Sequence, residues 1–560
     1  MPMTWINPRL SVPVGSFARK ELMHYYPSLK SLLEWTSLGI FFFILLTAFM
    51  VCQGNDGGWI STDLDRAKTV DNGDIEAKVT PQRTGGGVVW GQARPTAAPT
   101  TPAPPPPVSA TPPPVLPSAV PSTPAPTTAA PALLPPQATP RTAVAGKYLL
   151  KSERRKGSTD LVETLLEVNG DAKQISSDLK ETREKMEVIA GFRYEERIDQ
   201  ISPTQLVSVR QYNLAKSKMK IGESIRMPEL SSELQTIVCT LDRDRVSLFS
   251  PHGSLRGEQL LLIEDIPGNT LTIDRLLPAT EVAVGESWKI NDSVLRSFLS
   301  VDAVLTSDVE AVLTAVADDM ATIEVIGDVS GIYLGAATEM SIRAKIQFDL
   351  SIGRVNWLGA MIAEHRSIGH VGPGVELIAK LQIKISPIDK PQALTDAAMT
   401  MVSTRPTPAV LQLKYDGGKG PWRFSHDRSW YVYQDDPQTT VLRKLVNGEL
   451  VAQCNLADMG TVDLKTLTTL EKFQQDLITG LGQNFGKVAA SNVYEDKNGC
   501  TVYKVLLDGS VDDLSLRWIY HLITDRMGRQ SIVVFVVESA MLDLFANADE
   551  VLLETYRMGR

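Results

Sequence analysis

The chain has 560 residues, 43% of them hydrophobic, which is material for several cores rather than one. Lys and Arg number 56 against 65 Asp and Glu, a net charge of −9, so the basic face of a nucleic-acid binder is not expected. Four cysteines (Cys52, Cys239, Cys454, Cys500), none in a C-x-x-C pair, exclude a disulfide scaffold and suggest no zinc site.

Residues 1–34 carry Arg9, Arg19, Lys20 and Lys30 against Glu21 and Glu34. An apolar run, Leu38 to Val51, follows, with no charge from Trp35 to Cys52. A bilayer span needs about 20 residues and a signal-peptide core roughly 7–15, so the run alone fits both. Its flanks favour an uncleaved anchor at 35–53: a long basic leader precedes it, and Asp56, Asp63 and Asp65 follow. The charge asymmetry then places 1–34 in the cytoplasm and the bulk of the chain in the periplasm or outside the cell. Cleavage or lipidation at Cys52 is the alternative, although Phe49-Met50-Val51-Cys52 lacks the small residue of a lipobox.

Eighteen of the 35 prolines lie between Pro95 and Pro140, and no charge separates Arg94 from Arg141. Such a tract cannot pay the entropy of ordering by burial, so 54–145 is expected to be a disordered, Pro/Ala/Thr-rich stalk. At about 3.1 Å per residue its uncharged part reaches roughly 140 Å when extended.

From 146 to 388 the pattern is period two. Met186, Val188, Ala190, Phe192 and Tyr194 form one alternating set, Met340 to Leu350 a second and Val375 to Ile385 a third. Each segment has one dry and one wet face, the mark of antiparallel sheet. "LSIGRV" (350–355) and "VGPGV" (371–375) supply turns. Only "SVLRSFLS" (293–300) reads as helix, so the dry face must be covered by the sheet itself, as a strongly curved half-barrel or barrel. Ile342, Ile346, Phe348, Leu377 and Leu381 are expected inside. "VAVGESWKI" (282–290) resembles the V-G-[DE]-S-W segment of β-rich bacterial envelope proteins.

A loose linker, 389–408, leads to a second region, 409–560. Hairpins are expected around Asn447-Gly448 and Asn498-Gly499 and across 516–539. Leu464, Leu467, Leu470, Phe473, Leu477 and Leu481 predict an amphipathic helix with Asp463 as N-cap. A short helix and a last strand close an α+β sandwich. Trp518-x-Tyr520, then Asp525-x-x-Gly528-x-Gln530-x-x-x-Val534-Phe535, then helix and strand, resembles the PsbP/Mog1-like α/β/α family. The resemblance implies a binding or assembly module.

No catalytic motif is legible: G-x-S-x-G, H-E-x-x-H, a P-loop and an EF-hand loop are all missing. No catalytic, metal or cofactor-binding residue is assigned, and no cofactor is implied. Trp422, Trp430, Tyr431 and Tyr433 are candidates for a recognition surface. The competing expectation, which the sequence favours, is that "SWYVYQ" is a central strand buried on both faces. Cys454 and Cys500 are a candidate disulfide, with two buried thiols the favoured alternative. The leading functional expectation is a non-catalytic single-pass envelope protein whose binding or scaffolding domains stand off the membrane and meet a protein or another envelope component. A lipid or apolar-ligand carrier built on the curved sheet is the runner-up, and an enzyme of unrecognised type is third.

Overall fold

The computed structural model describes residues 146–560 except 176–179, 279, 417 and 560. The expected tail, the anchor at 35–53, Cys52 and the stalk at 54–145 lie outside the described residues. Among the described residues no helix is long and apolar enough to cross a membrane.

The period-two segments fold into long antiparallel strands. In chain order they are β1 (Thr159–Ile175), β2 (Glu181–Ile201), β3 (Gln205–Ile221), β4 (Thr236–Asp242), β5 (Arg245–Phe249), β6 (Ser287–Lys289), β7 (Glu310–Ala317), β8 (Met320–Tyr333), β9 (Ala336–Asp349), β10 (Arg354–Arg366) and β11 (Gly374–Pro387). Their order across the sheet is β5-β4-β3-β2-β1-β11-β10-β9-β8-β7-β6, with Ser224–Arg226 and Ala303–Ser307 paired onto β3 and β8. Two meanders therefore run outward from a central ladder. In that ladder the first strand pairs with the last, Asp160 opposite Pro387 and Lys173 opposite Gly374. Along β9 burial alternates as the sequence does. Ile342, Ile346, Phe348 and Leu381 are buried, and Leu377 packs half-buried on the same core.

The sheet is open. β5 and β6 are its edges and do not pair with each other, so the barrel alternative is corrected to a trough. Between β5 and β6 the chain runs over the dry face as α1 (Gly257–Glu264) and α2 (Thr270–Ile273), and directly after β6 it adds α3 (Asp292–Leu299). Only α3 was expected. The run Leu260-Leu261-Leu262-Ile263 in α1 has no polar face at helical spacing, and a short apolar run does not separate buried helix from strand. The sheet must curve around this segment. Arg296 of α3 pairs with Asp244 in the β4–β5 turn at 3.1 Å, while Asp292 of the same helix accepts from Ser307, on the strand paired with β8. An eight-residue helix is about 12 Å long, whereas β4 to β8 on a flat sheet is seven steps of about 4.8 Å.

Leu260, Leu262, Ile263, Leu271, Ile273 and Phe298 from the helical segment join the buried cluster of the sheet. At roughly 1.5–3 kcal/mol for each large side chain, these six contribute on the order of 10 kcal/mol of gross burial. The segment is therefore part of the core, and it fills the space where an open ligand cavity would lie.

The second region contains β12 (Leu413–Tyr415), β13 (Trp422–His426), β14 (Trp430–Asp435), β15 (Thr439–Val446), β16 (Glu449–Thr461), α4 (Leu470–Leu481), β17 (Phe485–Glu495), β18 (Thr501–Val511), β19 (Leu514–Thr524), β20 (Arg529–Glu538), α5 (Ala548–Thr555) and β21 (Arg557–Met558). Seven strands order as β14-β15-β16-β20-β19-β18-β17, and β12-β13-β21 form a small second sheet. One sheet face packs Val505, Trp518 and Val534 against Phe473, Leu477 and Leu481 of α4. The other packs Val533, Phe535 and Val537 against Leu552 of α5 and Trp422 and Phe424 of β13. This is the expected α+β sandwich.

Two local expectations need correction. Asp463 caps only a single turn, Leu464–Thr466, and the long helix starts after Thr469, whose hydroxyl accepts from the Lys472 N–H. Leu467 is extended between them and breaks the run. The β15–β16 turn is the expected Asn-Gly pair, with φ of 54° at Asn447 and 84° at Gly448. The β17–β18 connection is longer. The Asp496 carboxylate accepts from the N–H groups of Asn498 and Cys500, and only Gly499 takes a positive φ.

Candidate functional site: the seam between the two folded regions

The four aromatic candidates do not form one surface. Trp422 and Trp430 are each 2% exposed. The Trp422 indole donates to Thr440 Oγ1 at 3.1 Å, and the Trp430 ring meets Phe535 edge-on at 5.9 Å between centroids. Both are core on the α5 side. Tyr431 points to the opposite face and lies half-buried against the same hydrophobic cluster that Leu334 and Val371 of the first region pack on. Tyr433 is 44% exposed, and the Arg443 guanidinium lies over its ring at 3.6 Å. The strand β14 is an edge strand rather than the central strand expected. Its two aromatic faces arise because one meets the core and the other meets the neighbouring domain.

Cys454 and Cys500 are separate thiols, so no bridge joins them. Cys454 sits in the middle of β16 opposite Phe535, and burial pushes its thiol well above the ordinary range. Cys500 ends the β17–β18 connection, half-buried.

Tyr431 and Tyr433 lead to a seam that sequence reasoning missed. Two hairpin turns meet there back to back, Leu334-Gly335 between β8 and β9 and Asn447-Gly448 between β15 and β16. A Cβ at Gly335 would lie 2.1 Å from the Gly448 carbonyl oxygen, so only glycine permits this approach. Beside the turns, Arg443 donates through Nη1 to the His370 carbonyl at 2.6 Å and through Nε to Gln453 at 3.2 Å. Arg428 forms a second clamp. Its Nη2 donates to the Leu248 carbonyl of β5 at 2.7 Å and its Nε to the Leu411 carbonyl of the approach to β12 at 3.0 Å. At the far end the Lys414 N–H donates to the Leu255 carbonyl, and Arg256 pairs with Asp416 at 2.6 Å.

The seam is acidic on the first region's side. Tyr333 donates to Asp265 at 2.7 Å, and Arg366 stacks on the Tyr333 ring at 4.3 Å. Asp302 accepts from the Leu334 N–H. The Glu264 carboxyl is pushed up to about 7, first by burial and then by Asp265, while Arg428 opposes the shift. Burial lowers the Arg428 and Arg443 guanidiniums from their usual range, yet their carbonyl partners satisfy the donors. Chemically this is a clamp built from charge-assisted hydrogen bonds. Among the described residues no group of three or more His, Cys, Asp or Glu side chains could hold a metal ion.

The glycines of the two turns were the available signal. Asn447-Gly448 is legible as a turn, but nothing local says that another turn rests on it. Arg428, Arg443, Glu264 and His370 carried no signal, because their partners lie far away in sequence.

No family model and no curated protein matches the chain. Among solved structures it is similar to a solution structure of cyanobacterial PsbP (CyanoP) from Synechocystis sp. PCC 6803, with 14% identity and a TM-score of 0.22, over 28% of this chain and 99% of that one. It is also similar to lipovitellin, in a structure titled for its lipid–protein interactions, with 7% identity and a TM-score of 0.26. That match covers 43% of this chain and 26% of lipovitellin. An outer membrane channel from Pseudomonas putida F1 follows at 7% identity and a TM-score of 0.11, over 69% of this chain and 97% of the channel.

Proposed function

We propose that the protein is a non-catalytic, single-pass envelope protein whose two folded regions act together as one binding or scaffolding body, held off the bilayer by the Pro-rich stalk. The observation that carries this reading is the seam. Clamps through Arg428 and Arg443 and a glycine-to-glycine contact tie two separately cored regions together. Charge-assisted bonds and a close turn-to-turn contact favour one orientation of the two regions, which a scaffold needs and a flexible tether does not. The uncharged segment at 35–53 with its apolar run, its charge flanks and the Pro-rich stalk support the membrane placement. Partners are then proteins or other envelope components rather than nucleic acid, in keeping with the net charge of −9.

Protease shaving of intact cells that express the full chain, followed by carbonate extraction, tests the placement. The reading expects the folded regions to be released from outside, leaving a small membrane-bound fragment that contains 1–53. Protection of the folded regions in intact cells, or recovery of the uncut chain in the soluble fraction, would overturn it.

A further inference from the structure

The wet faces of the first region's strands form the outside of the trough. Pairing lines up seven of these strands, from β3 across to β8, so that outward side chains stand in rows. The central row reads Lys218, Ile189, Glu167, Lys380, Met361 and Arg343, and it ends at Ile326. The row beside it starts at Lys216, passes Leu165 and ends with Lys345 and Glu324. Leu165, Ile189, Met361 and Ile326 are large apolar side chains left between 42% and 59% exposed.

The charge of these rows runs against that of the chain. Lys216, Lys218, Lys380 and Arg343 are exposed, and none makes an ion pair with a described residue. Lys345 takes Glu324 at 3.5 Å, so Glu167 is the one carboxylate left in the two rows to stand against four cations. In the flanking rows Glu163 holds Arg193 and Lys384 at 3.7 and 3.9 Å, and Lys220 stands opposite Glu187. Free positive charge is therefore concentrated here, on a protein whose net charge is −9.

Positive charge selects an anionic partner, and the mixture of side chains selects its kind. A protein interface gathers apolar side chains into a core from which lysine is depleted. Here Ile189, Met361 and Ile326 each stand directly opposite a Lys or Arg. A bilayer surface suits that alternation, because apolar tips enter the boundary of the acyl chains while long cationic side chains reach the phosphates. The sheet bends around its helical cover, so the central ladder of β1 and β11 is the crest of the outer face, and Leu165 and Lys380 stand on it. A crest is the part of a curved body that a broad surface meets first. We propose that this outer face docks on an anionic bilayer surface, with Lys216, Lys218, Lys380 and Arg343 at lipid phosphates and Leu165, Ile189 and Met361 in the interface. The stalk sets how far the folded body can travel, and this face sets where it comes to rest. The docking does not depend on the segment at 35–53, since an anionic surface attracts the face whether or not the chain also spans it.

Lysine footprinting of the full chain tests it. The protein is reconstituted into vesicles of phosphatidylcholine, alone or with a third of phosphatidylglycerol, and acetylated with a membrane-impermeant reagent. Mass spectrometry then reads each lysine against Lys465, which is exposed in the second region. Labelling of Lys218 and Lys380 should fall about fivefold when phosphatidylglycerol is present, and in phosphatidylcholine it should match that in nonionic detergent. Lys216→Gln with Lys218→Gln and Arg343→Gln alters only exposed side chains, and should bring Lys380 in phosphatidylglycerol vesicles to within about twofold of its phosphatidylcholine level. Carbonate extraction of the same vesicles reports the anchor separately: release of a chain whose lysines phosphatidylglycerol had protected keeps this inference and removes the anchor. Equal labelling in the two vesicles, protection already present in detergent (as a second copy would give), or protection of Lys380 that survives the triple variant would each overturn the proposal.

Discussion

A methyl group at Gly335 should part the two folded regions without unfolding either. Its Cβ would stand 2.1 Å from the Gly448 carbonyl oxygen and 3.0 Å from the carbonyl carbon. Non-bonded heavy atoms settle at roughly 3.5 Å, so the turns must separate by more than an ångström. Separation gives up the Arg443 bond to His370, about 1.5–3 kcal/mol for a charged donor, and part of the packing of Leu334 and Val371. Gly335 also has a φ of 76°, where an L side chain costs roughly 1–2 kcal/mol within its own turn. Gly460→Ala isolates that second term: its φ is 77° and nothing lies within 4 Å of the new methyl. We expect Gly335→Ala to lose about 2–5 kcal/mol of docking beyond the loss in Gly460→Ala. Limited proteolysis of the linker at 389–408 and small-angle scattering read this directly, as at least tenfold faster cleavage and a larger radius. If Gly335→Ala behaves like Gly460→Ala in both assays, the seam does not hold the regions together in solution.

Ile346→Lys should abolish cooperative folding of the first region. The side chain is 0% exposed at the centre of β9, and an unpaired ammonium there costs more than about 4 kcal/mol; circular dichroism melts of the soluble fraction check this. Alkylation of the denatured, unreduced chain should label both Cys454 and Cys500, whereas in the native protein Cys500 should react well before Cys454. Acid should destabilise the second region in two stages. Burial lowers the folded pKa of His521, and its partners Lys504 and His521 hold the Asp549 carboxyl down to about 2. Both groups bind more protons when unfolded, so their stability is present above the unfolded pKa and lost below it. The loss begins below about pH 6.5 for His521 and runs from about 3.8 toward 2 for Asp549, where it amounts to roughly 2 kcal/mol. Urea titrations across this range check it: Asp549→Asn should flatten the lower stage, and a profile level from pH 7 to 3 would refute the linkage.

Period-two alternation was enough to place β2, β9 and β11 and their dry faces, because each residue's side is set by its immediate neighbours. Asn447-Gly448 gave its turn for the same local reason. What the sequence did not show is non-local. The cover of the trough was hidden because α1 is apolar on four consecutive positions, with Leu261 apolar even on its exposed side, so no polar face marks a helical period. The sheet's centre was also hidden, since Leu381 pairs with Leu166 across more than two hundred residues without any shared motif. At the candidate site, Tyr431 and Tyr433 were legible as unusual residues, but their role depends on Arg443 and on turns elsewhere in the chain.

The pairing of β1 with β11 has a consequence for how the first region comes into being. Five strands can zip together as soon as residue 249 has left the ribosome, because each follows its neighbour in order. The ladder that unites them with the second meander needs Gly374 to Pro387, so the middle of the sheet is the last part that synthesis allows to form. Until then the inner edge of β1 stands open, seventeen residues long, a template for any strand that drifts past. Loop closure over such a span adds only a slowly growing entropic cost, but it delays the contact and lengthens that exposure. The geometry also allows a rewired chain. Pro387 lies opposite Asp160 in an antiparallel pair, so a short turn between them, with new ends opened in the helical segment, would leave eleven strands in a single unbroken meander. That circular permutant would assemble each neighbour in sequence and never display the open centre.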